Sequence, residues 1–208
     1  GLNPHYLATH IAWDIGAGAL TRQLSRDLNA VAVLAKYSRL LIDTNRSLDD
    51  PSLMVEASEG KEVPGNFGLP LEERQRRVET YYEPFHEACD AVIEPRLSQK
   101  PIVTGIHTFT PIYEGIKRPW EISLMWNEDD RLAKAMGKYF EGEGFHVGWN
   151  QPYSGRDLFC TMDRHGARHG LLHATLEVRQ DLVQDKKGQE LFGRLVAAAF
   201  QKVYPEIS

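Results

Sequence analysis

One segment restricts this chain more than any other. In Leu172-His173-Ala174-Thr175-Leu176-Glu177-Val178-Arg179, apolar and polar residues alternate without a break. Side chains on a strand point to opposite faces in turn, so the pattern predicts a β-strand with His173, Thr175, Glu177 and Arg179 on one face and four apolar residues on the other. The apolar face requires a hydrophobic layer against it. A glutamate on such a strand needs a reason, because burying an unpaired carboxylate costs on the order of 3 kcal/mol or more. One reason is a salt bridge to Arg179. The other is a general base that takes a proton from water and passes it to a leaving amine.

Two further strand-like segments run into chemically active residues: 38–43 into Asn45-Arg46, and 102–106 into His107. Ligands of open α/β sheets collect in the crevice outside the C-terminal strand ends, so one pocket is expected to gather all three groups. The rest of the pattern agrees with such a sheet. Helices are expected after Asn3-Pro4, over 18–28, from Pro70 with a kink at Pro84, and over 128–141 and 187–204. Strands are expected at 31–35, 38–44, 102–106, 121–126, 146–148 and 172–179, with irregular loops at 45–70 and 150–170. The long 45–70 loop is of a length that usually serves a function. The order implies an α/β fold of three layers, a central mixed and largely parallel sheet flanked by helices.

With 208 residues, 42% of them hydrophobic and 25% charged, the chain suits a single domain spanning 1–208. Its net charge of −5, with basic residues scattered, argues against a nucleic-acid groove or a polybasic membrane surface. Cys89 and Cys160 have no metal-knuckle spacing and read as thiols of a reducing compartment, so a cytoplasmic location is expected. The chain opens on Gly1 without a methionine, and residues upstream are expected.

Several polar residues carry two readings each. His107, at the end of an apolar strand, is either a capping histidine or a metal ligand. Asn45-Arg46 is either a strand-end turn with a surface ion pair, or an amide and planar guanidinium matched to a carboxylate. His10 and Asp14, four residues apart on a helix-like stretch, form a local pair or face one metal; Asp14 is a candidate metal ligand or an orienter of a histidine. The glycines that follow Asp14 allow close backbone approach.

These words in this order resemble the N-formylglutamate amidohydrolase family. The resemblance lies in His-Ile-Ala-Trp-Asp-Ile-Gly-Ala at 10–17, Ser-Arg-Leu-Leu-Ile-Asp-Thr-Asn-Arg at 38–46, and Ser-Glu-Gly with Val-Pro-Gly-Asn after it. It continues in Ile-His-Thr-Phe-Thr-Pro at 106–111, Arg-Pro-Trp at 118–120 and Leu-Glu-Val-Arg-Gln-Asp at 176–181. That family is similar in fold to zinc exopeptidases. Residues 42–46 look like the carboxypeptidase Asp-x-Asn-Arg that holds a substrate carboxylate, Ile106-His107 like the pair supplying a zinc ligand, and Glu177 like the catalytic glutamate. Family members also carry an early Glu-His-Ala-Ser or Asp-His-Ala-Ser motif with a metal-binding histidine, which nothing before His10 matches. The chain is therefore expected to lack an N-terminal strand and that ligand.

The resemblance implies a zinc-dependent amidohydrolase of a small N-acyl acidic amino acid, N-formyl-L-glutamate or a near relative. It implies one Zn2+ ion, or another divalent metal, on His107, an upstream histidine and Asp14. Glu177 would act as base. Asn45 and Arg46 would hold the α-carboxylate, with Arg39, Arg118 or Arg179 at the side-chain carboxylate or the oxyanion. The rival readings are a carboxylate-binding protein on the same fold and a carboxypeptidase-type peptidase. The oligomeric state is left open.

Overall fold

His173–Arg179 form the strand that the alternation of 172–179 predicts, and it lies inside a four-stranded sheet. The computed structural model describes residues 2–158 and 160–207; Gly1, on which the reading of the chain's start rests, lies outside them. In chain order, α1 (Ala17–Asp27) is followed by the short hairpin β1 (Ala57–Ser58) and β2 (Lys61–Glu62), then α2 (Leu71–Arg77), a π turn over Val78–Tyr82, and α3 (Glu83–Ile93). Next come β3 (Val103–Phe109), the hairpin β4 (Ile112–Tyr113) and β5 (Ile116–Lys117), and β6 (Ile122–Met125). They are followed by α4 (Arg131–Gly142), β7 (Val147–Trp149), α5 (Cys160–His165), β8 (His173–Arg179) and α6 (Lys186–Ile207). The chain divides into two compact units: residues 1–13 with 33–96, and residues 14–32 with 97–208.

The second unit holds the sheet, in the order β3-β8-β6-β7. Pairs β3–β8 and β6–β7 are parallel and β6–β8 is antiparallel, so the sheet is mixed. One face is apolar: Leu176 and Val178 of β8 and Ile122 and Leu124 of β6 join Leu20 of α1, Met136 and Phe140 of α4, and Val196 and Phe200 of α6 in one core. Removing Leu176 from water contributes about 2 kcal/mol, and its truncation to alanine would cost about 2–5 kcal/mol. On the other face α5 packs against β3 and β8, with Met162 against Met125. Helices therefore cover both faces, as the three-layer reading requires. It also means that β8 is buried on both sides along most of its length, rather than half-buried.

The 150–170 stretch is not a plain loop, because it contains α5 and a 3-10 turn at Ala167–His169. A six-residue helix leaves too short a periodic trace to stand out among polar residues.

The first unit has no strand at 38–44, contrary to expectation. Two turns occupy that segment, closed by Leu41 N–H to Ser38 O and Arg46 N–H to Asp43 O. Two of its other carbonyls are taken by buried side chains instead of a neighbouring strand: Asn66 donates to Leu40 O at 2.8 Å and Arg77 to Leu41 O at 3.0 Å. Residues 31–35 likewise carry no ladder; α1 ends before Asn29, which adopts the left-handed region at φ 49°.

The helix opened by Pro70 answers Pro84 with a π turn. Proline has no N–H to return to the carbonyl four residues earlier and its ring crowds that carbonyl. Glu83 N–H reaches back five residues to Val78 O instead. Val78, Tyr82, His86, Cys89 and Ile93 form the helix's buried face, three or four residues apart.

Candidate active site

The register of the sheet decides which side chains of the second unit are neighbours. His107 of β3 lies opposite Glu177 of β8, Glu177 opposite Ser123 of β6, and Ser123 opposite Gly148 of β7. Residues in register point to the same face, so His107, Glu177 and Ser123 form one transverse row. Neighbouring strands lie about 4.8 Å apart, which sets the backbone spacing of the imidazole and the carboxylate. His107 does not sit at a strand end as the sequence suggested, whereas Glu177 lies within its strand as expected. Each lies two residues inside its strand, and the candidate site is therefore a polar face near the C-terminal ends rather than a crevice beyond them.

Close packing flanks this row on both sides. Gly105, next to His107 on the same face, has no side chain; a Cβ there would stand 2.9 Å from Thr175 Oγ1 and 3.5 Å from His107 Cδ2. At the other end Ser123 is fully buried and donates to Gly148 O at 3.1 Å. Glu177, 6% exposed, lies between them.

Asp14 completes the group. Its Oδ2 lies 2.7 Å from His107 Nδ1 and accepts the backbone N–H of Thr108 at 3.4 Å. β3 is an edge strand, and this stretch packs on its outer side: besides the Thr108 N–H taken by Asp14, Ile15 O accepts from Thr108 Oγ1 at 2.9 Å. Gly16 makes the turn possible. It has φ 88°, and a Cβ on it would come within 2.4 Å of Val183 O. The expectation of close backbone approach at these glycines is met at Gly16. The helical spacing expected of His10 and Asp14 is not, since 10–12 and 15–16 are turns, and His10 pairs with Glu59 at 2.8 Å.

Imidazole and carboxylate are the donor types that bind zinc and other divalent ions, so Asp14 and His107 fit such an ion as two of its ligands. Among the described residues the two do not belong to a group of three clustered ligand atoms. A catalytic zinc usually takes three protein ligands.

The candidate arginines differ in what holds them. Arg118 is 7% exposed, and its guanidinium lies 4.8 Å from the Tyr113 ring centroid, 5.0 Å from that of Tyr153 and 5.9 Å from that of Phe109. It donates to Thr110 O at 3.3 Å and to Tyr153 Oη at 3.2 Å, so a cation is presented among three aromatic rings. Arg179 does not pair with its strand neighbour Glu177 as the simple reading had it; it forms a two-point pair with Asp181, 2.8 and 3.3 Å, and donates to Trp120 O.

Arg39, Asn45 and Arg46 belong to the first unit. The backbone N–H of Arg39 donates to Ala12 O, and Asp43 accepts the backbone N–H of Asn45 at 2.9 Å in a side-chain-closed turn. Arg46 Nε donates to Ser52 Oγ at 2.9 Å, and Tyr82 Oη donates to Arg46 O at 2.8 Å. The hydrogen bond from Ser52, and to a lesser degree Arg46 itself, holds the Asp50 carboxyl below the usual carboxylate range.

Ser123 and Gly105 were not singled out from the sequence. Ser123 becomes visible only through strand pairing, which a single sequence does not record, although a lone polar residue within Ile122-Ser123-Leu124 was an available signal.

Fold and site together define a mixed α/β protein that presents an aspartate-supported histidine beside a buried glutamate on one sheet face. The sequence profile of the N-formylglutamate amidohydrolase family matches residues 1–184, and the chain belongs to that family. No curated protein matches it. Among solved structures, a gene product of Agrobacterium tumefaciens is 37% identical and superposes with a TM-score of 0.96, covering 100% of this chain and 83% of that one. N-formylglutamate amidohydrolase from Ralstonia eutropha shares the fold at 17% identity and a TM-score of 0.69, over 92% of this chain and 81% of its own. Among the described residues, no helix is long and apolar enough to cross a membrane.

Proposed function

We propose that this protein hydrolyses the amide bond of an N-acyl acidic amino acid with the help of a divalent metal, and that N-formyl-L-glutamate is its substrate. The observation that carries the reading is the in-register placement of His107 and Glu177 on one sheet face, with Asp14 on the imidazole. Asp14 and His107 would hold the metal, zinc first among the candidates. When bound, such an ion supplies Lewis-acid polarisation of the acyl carbonyl.

The residues of the chain do the rest. Glu177 accepts a proton from the attacking water as its oxygen bonds to the formyl carbon, then delivers it to the amine as the carbon–nitrogen bond breaks. Formate and L-glutamate leave. Asn45 and Arg46 bind the α-carboxylate through an amide and a planar fork. Arg118 serves the side-chain carboxylate or the developing oxyanion, a role its buried guanidinium among aromatic rings suits. Arg39 and Arg179 are secondary candidates, and the two-point pair with Asp181 ranks Arg179 last. A cytoplasmic setting agrees with such a small-molecule reaction.

The test is stoichiometric. Zinc-supplemented protein given N-formyl-L-glutamate should release formate and glutamate in equal amounts, and a chelator should stop both. One observation favours a second reading, a carboxylate-binding protein: Asp14 and His107 lack a third clustered ligand among the described residues. Such a protein would bind N-formyl-L-glutamate, release no formate and be indifferent to chelator.

A further inference from the structure

We infer that the π turn at Val78–Tyr82 is a positioning device: through Arg77 and Tyr82 at its ends, and Asn66 joined to Arg77, it fixes the backbone that presents Asn45 and Arg46. The inference rests on the reading that these two residues bind the substrate's carboxylate, and deepens it.

The segment 38–46 presents its side chains from a backbone without a ladder, so something else must hold its polar groups. Arg77 Nη1 donates to Leu41 O at 3.0 Å, Tyr82 Oη to Arg46 O at 2.8 Å, and Asn66 Nδ2 to Leu40 O at 2.8 Å. Asn66 Nδ2 also reaches Val55 O at 2.7 Å, and its Oδ1 accepts from Arg77 Nη1 at 2.7 Å, which locks amide and guanidinium together. Glu73 accepts from Arg77 Nε at 3.0 Å and balances its charge. Asn66, Arg77 and Tyr82 are 4, 6 and 2% exposed, so they act on a substrate only through the segment they hold.

The π turn explains how two donors five residues apart serve one segment. An α-helix advances about 100° per residue and would place residues 77 and 82 about 140° apart. A turn closed between residues i and i+5 completes a full circle over nearly the same span and returns Tyr82 toward the side that carries Arg77. The bond from Glu83 N–H to Val78 O is that closure. π turns inside α-helices are frequent at functional sites, and here the geometry gives the reason.

The experiment compares wild type, Tyr82→Phe and Arg77→Lys. Tyr82→Phe is the gentle variant, since it keeps the ring that packs tilted against His86 at 4.4 Å and removes only the hydroxyl. For N-formyl-L-glutamate, KM should rise about 5–10-fold in Tyr82→Phe and more in Arg77→Lys, with kcat within about twofold. KM for the α-carboxamide analogue should not move. Backbone amides of 39–47 should exchange hydrogen faster in both variants, and the amides of β8 should not. Unchanged exchange at 39–47 in the folded Tyr82→Phe protein overturns the positioning role whatever the kinetics. Faster exchange with an unchanged KM contradicts the carboxylate role of Asn45 and Arg46, and a fall in kcat alone contradicts both. If wild type turns over no N-acyl amino acid, the proposed function fails, and the exchange data still decide the positioning claim.

Discussion

The two units hold their polar residues by opposite means. In the second unit, Asp14, His107, Glu177 and Ser123 are set by strand register and by one glycine turn that closes onto an edge strand. In the first, Arg39, Asn45 and Arg46 sit on coil whose carbonyls are bonded by the buried side chains of Asn66, Arg77 and Tyr82. A ladder distributes its support over many backbone bonds, and losing one side chain leaves it standing. A side-chain scaffold concentrates support in a few groups, so single substitutions reach the segment it holds. Proton transfer in the proposed reaction relies on the first arrangement and carboxylate recognition on the second.

This contrast can be broken at several points. The largest effect is expected at Gly16. A methyl there meets Val183 O in a backbone with φ 88°, so Gly16→Ala should destabilise the protein by about 2–5 kcal/mol, measured as a lower denaturation midpoint. A neutral result would show that the Asp14 turn is not fixed by close approach. Next, His107→Ala should weaken zinc binding by at least about 100-fold in a competition titration while the fold persists, because the strand keeps its ladder. Equal zinc affinity would remove His107 from the metal site. Arg46→Ala should raise KM for N-formyl-L-glutamate roughly 10–100-fold and spare kcat, as expected for lost hydrogen bonds to a charged group.

The smallest effect concerns acid. Glu73 is held at a pKa of about 2 by hydrogen bonds from Arg76 and then Arg77, against an ordinary value near 4.5. A depressed carboxylate pKa contributes stability that is present above the ordinary value and lost as pH falls through the depressed one. Glu73→Gln should therefore flatten the stability–pH curve between about 4.5 and 2, by little, because the carboxylate is largely solvent-screened. An unchanged acid limb would mean that Arg77 is anchored without it.

How much of this was legible follows the same division. The strand at β8 was readable because its period of two is local, and Gly16 because glycine beside an aspartate implies close approach. The motif order named the family that the profile match shows. Residues 38–44 misled because apolar and polar residues mix there as on a strand, while the groups that satisfy its carbonyls lie 26 and 36 residues away. The π turn is invisible in composition, since it changes only winding. Ser123 owes its place to a pairing between β6 and β8 that spans 54 residues of sequence between the register partners Ser123 and Glu177.

The central claim is that Glu177 moves the proton in hydrolysis on the face it shares with His107. The direct measurement is kcat for formate release from N-formyl-L-glutamate by Glu177→Gln and wild type, both loaded with the same measured amount of zinc. The account predicts a loss of about 10²–10⁴-fold with metal content and KM nearly unchanged. A Glu177→Gln protein that releases formate at the wild-type rate would contradict it.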